Sequence, residues 1–260
     1  MTDPVILIIA FVFGSVVGSF LNVCIHRLPL GVSIVSPASR CPHCSRRIPF
    51  YYNIPLVSYI VLLGRCAHCR APLSLQYPLV EAMAGFFSAM LMRRWGVSPE
   101  LFIYFAFASA LIVVTFIDLE LQIIPDVISL PGIAVGLVAS FFLRSPGMVN
   151  SVIGMLLGGG VLFMIAAAYH FIAGAEGMGG GDIKLLAMIG AFLGWKGVLL
   201  TLFAGSFLGA AFGLLIMALR GRSSKHAIPF GPFLAAGALI YLFYGQELIG
   251  LYLERLSSLS

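Results

Sequence analysis

The sequence predicts an all-α polytopic membrane protein of about eight transmembrane helices with a small cytosolic zinc-binding insert. Three observations carry that prediction. The 260 residues are 60% hydrophobic and only 10% charged, with a mean hydropathy of +1.06, so the apolar surface exceeds what a soluble core can bury and needs lipid to cover it. Apolar runs recur along the chain at lengths that suit membrane helices. Between the first and second run lies a stretch of different composition that holds two Cys-x-x-Cys pairs.

The first apolar segment covers about 4–25. No lysine or arginine precedes it and no small-residue cleavage site follows, so it reads as a retained helix and not a signal peptide. The others run over about 78–95, 99–117, 123–143, 151–173, 182–195, 197–219 and 228–250. With the first loop in the cytosol, alternation places Arg27, Arg40, Arg46, Arg47, Arg65, Arg70, Lys184, Arg220, Arg222 and Lys225 inside. Arg93, Arg94, Arg144, Lys196 and Arg255 fall outside. That asymmetry predicts both termini outside and the large loop inside, and it accounts for the net charge of +5 without any nucleic-acid partner.

Glycines four residues apart, at Gly14/Gly18, Gly132/Gly136, Gly154/Gly158, Gly190/Gly194 and Gly205/Gly209/Gly213, predict closely packed membrane helices. The insert, about 26–77, carries Cys41-Pro42-His43-Cys44 and Cys66-Ala67-His68-Cys69. Each pair can place two thiolates on one metal ion, and two pairs complete a tetrahedral sulfur shell. In a reducing compartment zinc is favoured over two disulfides. Four protein ligands leave no open position, so the metal is structural. His43 and His68 are read as spectators and Cys24 as a small packing residue.

Acids inside apolar segments are expensive and each raises a functional question. Asp118 ends the third segment, in Val113-Val114-Thr115-Phe116-Ile117-Asp118, with nothing adjacent to neutralise it. Asp182 follows Gly177-Met178-Gly179-Gly180-Gly181 and opens a segment of about 20 Å, too short to cross a hydrocarbon core of about 30 Å. It therefore reads as an acid in a protein-lined notch, although an N-cap aspartate after a flexible loop would have the same sequence. The predicted topology puts both acids on the cytosolic side. Two carboxylates within a few ångströms cannot both ionise easily, which supplies one general base and one general acid. Asp126, after Pro125, has a structural role in a helix first turn; Glu120 and Glu176 read as solvated; Glu81 fits an interfacial or a site role. No nucleophile triad, Walker loop or His-Glu-x-x-His helix is present.

These residues resemble the bacterial type IV prepilin peptidases, bifunctional leader peptidases and N-methyltransferases of the Gly-x-Gly-Asp aspartic protease class. The likeness runs through Phe13-Gly14-Ser15-Val16-Val17-Gly18-Ser19-Phe20-Leu21-Asn22-Val23, Arg27-Leu28-Pro29, the paired cysteines, Tyr77-Pro78-Leu79-Val80-Glu81, Asp118 to Asp126, and Gly179-Gly180-Gly181-Asp182-Ile183-Lys184-Leu185. It implies that Asp118 and Asp182 are the catalytic pair. It implies as substrates prepilins or type II secretion pseudopilins, cut after a glycine at the cytosolic face of the bacterial inner membrane. S-adenosylmethionine would then methylate the new amino terminus, with Glu81 and Asn22 as candidates for that step. The expected layout is a first transmembrane helix at 1–25, a cytosolic zinc-knuckle domain at 26–77 and a transmembrane protease domain at 78–260. Two other readings are open: a transporter whose acids carry protons or cations, and a non-enzymatic assembly factor docking through the zinc loop.

Overall fold

A computed structural model describes residues 3–36, 38–143, 145–174, 179–220 and 228–257. The expectations placed on Arg144, Glu176, Gly177, Met178, Arg222 and Lys225 lie outside these residues. Among the described residues the chain is all-helical, with no strand and only two isolated bridges. The helices are α1 (Pro4–Arg27), α2 (Val57–Val61), α3 (Gln76–Trp95), α4 (Pro99–Leu121), α5 (Asp126–Ala139), α6 (Met148–Ala173), α7 (Gly180–Arg220) and α8 (Gly231–Ser257). A single 3-10 turn, Phe50–Tyr52, precedes α2.

Each of the eight expected apolar segments falls on helix, but the helices divide differently from the count. Among the described residues five are long and apolar enough to cross a membrane: Pro4–Arg27, Pro99–Leu121, Met148–Ala173, Gly180–Leu219 and Gly231–Leu251. α3 carries Gln76, Glu81, Arg93 and Arg94, and α5 is only 14 residues long, about 21 Å. The sixth and seventh segments run together as α7, broken at Gly194, whose φ of 72° and ψ of −178° lie outside the helical region. A residue without a Cβ takes that backbone geometry readily, so the helical register resumes beyond it.

The chain forms two compact units, Met1–Ile117 and Asp118–Ser260, and their boundary falls inside α4. In the first unit, Asp3 caps α1 by accepting the Val5 N–H at 2.9 Å, and Pro4 occupies the first turn, where its missing N–H goes unneeded. α1 then packs on α3 with almost no side chain between the backbones. A Cβ at Gly14 would lie 2.5 Å from the Ala84 carbonyl oxygen, and one at Gly18 would lie 2.7 Å from the Glu81 Cα. Gly85 returns the contact from α3, where a Cβ would meet Ser15 Oγ at 2.5 Å. Phe13 against Phe105 and Trp95 against Tyr104, with ring centroids 5.8 and 5.1 Å apart, join the first part of α4 to this pair.

In the second unit the first limb of α7 is the core element, with Leu185, Leu186, Met188, Ile189 and Ala191 fully buried. α6 meets it through Gly154, where a Cβ would sit 2.5 Å from the Gly190 carbonyl oxygen, and through Gly158, equally close to that of Leu186. α5 approaches through Gly136, beside Phe192. α8 packs on the second limb through Gly237, 2.7 Å from the Thr201 carbonyl oxygen by the same measure. Beyond that contact the second limb turns Phe203, Phe207, Leu214 and Leu219 outward, the apolar surface of a lipid-facing helix.

Candidate functional site

The second unit brings together the two acids singled out in the sequence. Asp118 sits in the last turn of α4 and is 5% exposed. Asp182 is the third residue of α7 and half-buried, its N–H donating to the Gly179 carbonyl at 3.2 Å. The two carboxylates lie within electrostatic range of each other. The turn after α4 closes at once: the Gln122 N–H donates to the Asp118 carbonyl at 2.9 Å, and Gln122 adopts a φ of 55°. That turn delivers Ile124, whose side chain abuts both Gly181 and Gly231, lying 2.9 and 3.3 Å from where their Cβ atoms would be. Ile124 therefore packs at the starts of α7 and α8 together.

Two contacts here are absent from the sequence-level picture. The Gly231 N–H donates to Asp118 Oδ2 at 3.0 Å, a buried bond from the first residue of α8. Lys184 Nζ donates to both carboxylate oxygens of Asp126, at 2.7 and 2.8 Å. Asp126 does sit in the first turn of α5, as its proline neighbour suggests, but it also ties α5 to α7. Pro229-Phe230-Gly231-Pro232 announces a helix start in the sequence; no letter code shows that the amide behind it faces an acid 113 residues away.

In the first unit the two cysteine knuckles repeat one local geometry. Cys41 N–H donates to Arg46 and Cys66 N–H to Ala71, while Ser45 and Arg70 donate back to Cys41 and Cys66. Ser45 and Arg70, each four residues after the first cysteine, both have positive φ, 55° and 59°. The four sulfurs lie within 4.8 Å of one another, with Cys41 and Cys69 at 3.8 Å. A tetrahedral shell of Zn–S bonds of about 2.3 Å has edges of about 3.8 Å, so the donor set fits zinc. None of the four is in a disulfide. The N–H groups of Cys69 and His68 lower the Cys66 thiol. Cys24 is buried in α1, in keeping with a packing role.

Glu81 and Asn22 line a cavity of about 680 Å³ formed by α1, the insert and α3, together with His26, Tyr52, Tyr59 and Tyr77. Glu81 is 8% exposed, and its Oε2 accepts the Leu56 N–H at 2.8 Å. Asn22 is 3% exposed, and its Nδ2 donates to the carbonyls of Gly18 and Tyr77. Asn22 Oδ1 is buried and finds no donor among the described residues. A buried acceptor of this kind is costly unless a ligand or water meets it.

Residues 12–95 match the bacterial peptidase A24 N-terminal domain, and residues 105–214 match the type IV leader peptidase family. Three relatives each carry the description "Prepilin leader peptidase/N-methyltransferase". One from Pseudomonas putida is 36% identical, covering 92% of this chain and 91% of its own. Another from Aeromonas hydrophila is 36% identical over 95% and 93%. A third, from Stutzerimonas stutzeri, is 34% identical over 94% and 93%. No solved structure matches the chain.

Proposed function

Because the chain belongs to the type IV leader peptidase family, we propose that it removes the short leader of type IV prepilins or type II secretion pseudopilins and then methylates the new amino terminus. It does so as a multi-pass protein of the bacterial inner membrane, with cleavage at the cytosolic face. One observation carries the proteolytic half: Asp118 and Asp182, far apart in the chain, come within range of each other at the ends of α4 and α7. On this reading one carboxylate of the pair is ionised and the other protonated. The ionised one takes a proton from water as the oxygen attacks the scissile carbonyl. The protonated one passes its proton to the departing amine, and the carbon–nitrogen bond breaks.

S-adenosylmethionine supplies the methyl group of the second step. The cavity beside α1 and α3 suits it. Asn22 and Glu81 line it and give it a polar wall for a cationic ligand, and the tyrosines provide flat apolar walls for a purine. Glu81 is held in place by Leu56, a residue of the insert. Cys41, Cys44, Cys66 and Cys69 would hold zinc through four sulfurs, which orders the insert and leaves the ion no position for substrate.

The test is direct. The pure protein is incubated with a prepilin and S-adenosylmethionine, and the product is weighed by mass spectrometry. Loss of the leader reads the first step, and a gain of one methylene mass on the shortened pilin reads the second. An intact prepilin after incubation with active-site-intact protein would refute the proposal. Proton or cation flux in proteoliposomes, lost on substituting either aspartate, would favour transport instead.

A further inference from the structure

We infer that Gly231 is a positioning residue for leader cleavage. Its backbone N–H holds one oxygen of Asp118 and makes Asp118 the partner that takes the proton from water, leaving Asp182 to deliver one to the departing amine. Resting on the assignment of Asp118 and Asp182 as the catalytic pair, this adds a division of labour within it.

The first residues of a helix have N–H groups with no partner in the helix itself. At α8 the helical bonds begin with Phe233 and Leu234 donating to Phe230, which leaves the Gly231 N–H for another acceptor. It meets Asp118 Oδ2 at 3.0 Å in buried surroundings. Space allows only glycine there. A Cβ at Gly231 would lie 2.5 Å from that same oxygen and 3.3 Å from Ile124 Cδ1, so a larger residue displaces the carboxylate or the helix start.

The two acids are therefore not equivalent. Asp118 accepts a fixed amide donor, and donors favour the charged form of the oxygen they meet. Among the described residues no donor reaches the Asp182 carboxylate. The one cation next to it in sequence, Lys184, is bound to both oxygens of Asp126. The amide donor thus favours Asp118 as the charged partner, which leaves the proton of the pair to Asp182 and the second oxygen of Asp118 to meet water.

Replacing Gly231 by glycolic acid turns the N–H into an ester oxygen and adds no bulk. The expected result is a fall in kcat for prepilin cleavage of about tenfold to a hundredfold, the value of a hydrogen bond to a charged group. KM for prepilin and the methylation of a pre-cleaved pilin peptide stay at their original values. Gly231→Ala should show the same split through displacement of Asp118. An unchanged kcat in the ester protein overturns the inference, and so does an equal loss of cleavage and methylation, which would mark Gly231 as serving the fold alone. Asp118→Asn and Asp182→Asn run alongside: their continued cleavage would defeat the underlying assignment, whereas their silence beside an unaffected ester protein would defeat only the role given to Gly231.

Discussion

Asp118 stood out in the sequence because a carboxylate in an apolar run has few inexpensive explanations, and Asp182 because four nearby glycines led into it. Asp118→Asn and Asp182→Asn should each lower prepilin cleavage by about 10²- to 10⁴-fold, the range for losing one proton-transfer partner. Methylation of a pre-cleaved peptide and the melting temperature should hold, read by mass spectrometry and by scanning fluorimetry in detergent. Glu81→Gln keeps the shape of the cavity wall and removes the charge. Calorimetric titration with S-adenosylmethionine should show weaker binding by about tenfold, while leader removal proceeds at its normal rate. What the sequence could not display at this scale is what backbone atoms do: the Gly231 amide on Asp118, and the Leu56 amide on Glu81, have no signature in residue type.

At the scale of helices, the glycine spacing marks close backbones at some pairs and not at others: Cβ atoms at Gly209 and Gly213 would meet only side chains, at 3.5 and 3.7 Å. Gly14 and Gly18 face α3, and Gly154 and Gly158 face α7, each with backbone atoms where a Cβ would go. Gly154→Leu should therefore separate α6 from α7 and lower stability by about 1–3 kcal/mol, measured by unfolding in mixed micelles. Gly160, with open space around it, should tolerate leucine at little loss. The break in α7 was less legible. A glycine within an apolar run suits a loop, a bend or continuous helix equally, and only the packing of Pro146 and Asn150 against Gly194 shows which occurs. The Lys184–Asp126 pair is half exposed, so its removal should change stability by no more than about 1 kcal/mol.

Across the whole molecule, Asp118 and Asp182 lie in the carboxy-terminal unit and the cavity lined by Asn22 and Glu81 in the amino-terminal one, so the two proposed steps would draw on separate stretches of chain. Composition made the membrane class legible, since hydropathy depends on no tertiary contact. The number of spans was harder, because α3 is charged at both ends, α5 is short and α7 merges two expected segments. Cys66→Ser should release zinc, measured by atomic absorption, and loosen the insert as read by limited proteolysis between residues 38 and 75.

The Leu56 amide bond to Glu81 makes the insert part of the wall of the cavity proposed for the methyl donor. Leu56 holds a φ of 61°, a posture that a non-glycine residue keeps only while its surroundings stay folded. Starving a cell of zinc should then leave a growing share of trimmed pilins with an unmodified first residue, before trimming itself declines. The metal would in that way set the finish on the fibre subunit, and the ratio of the two products would report how much of it the cell has to spare.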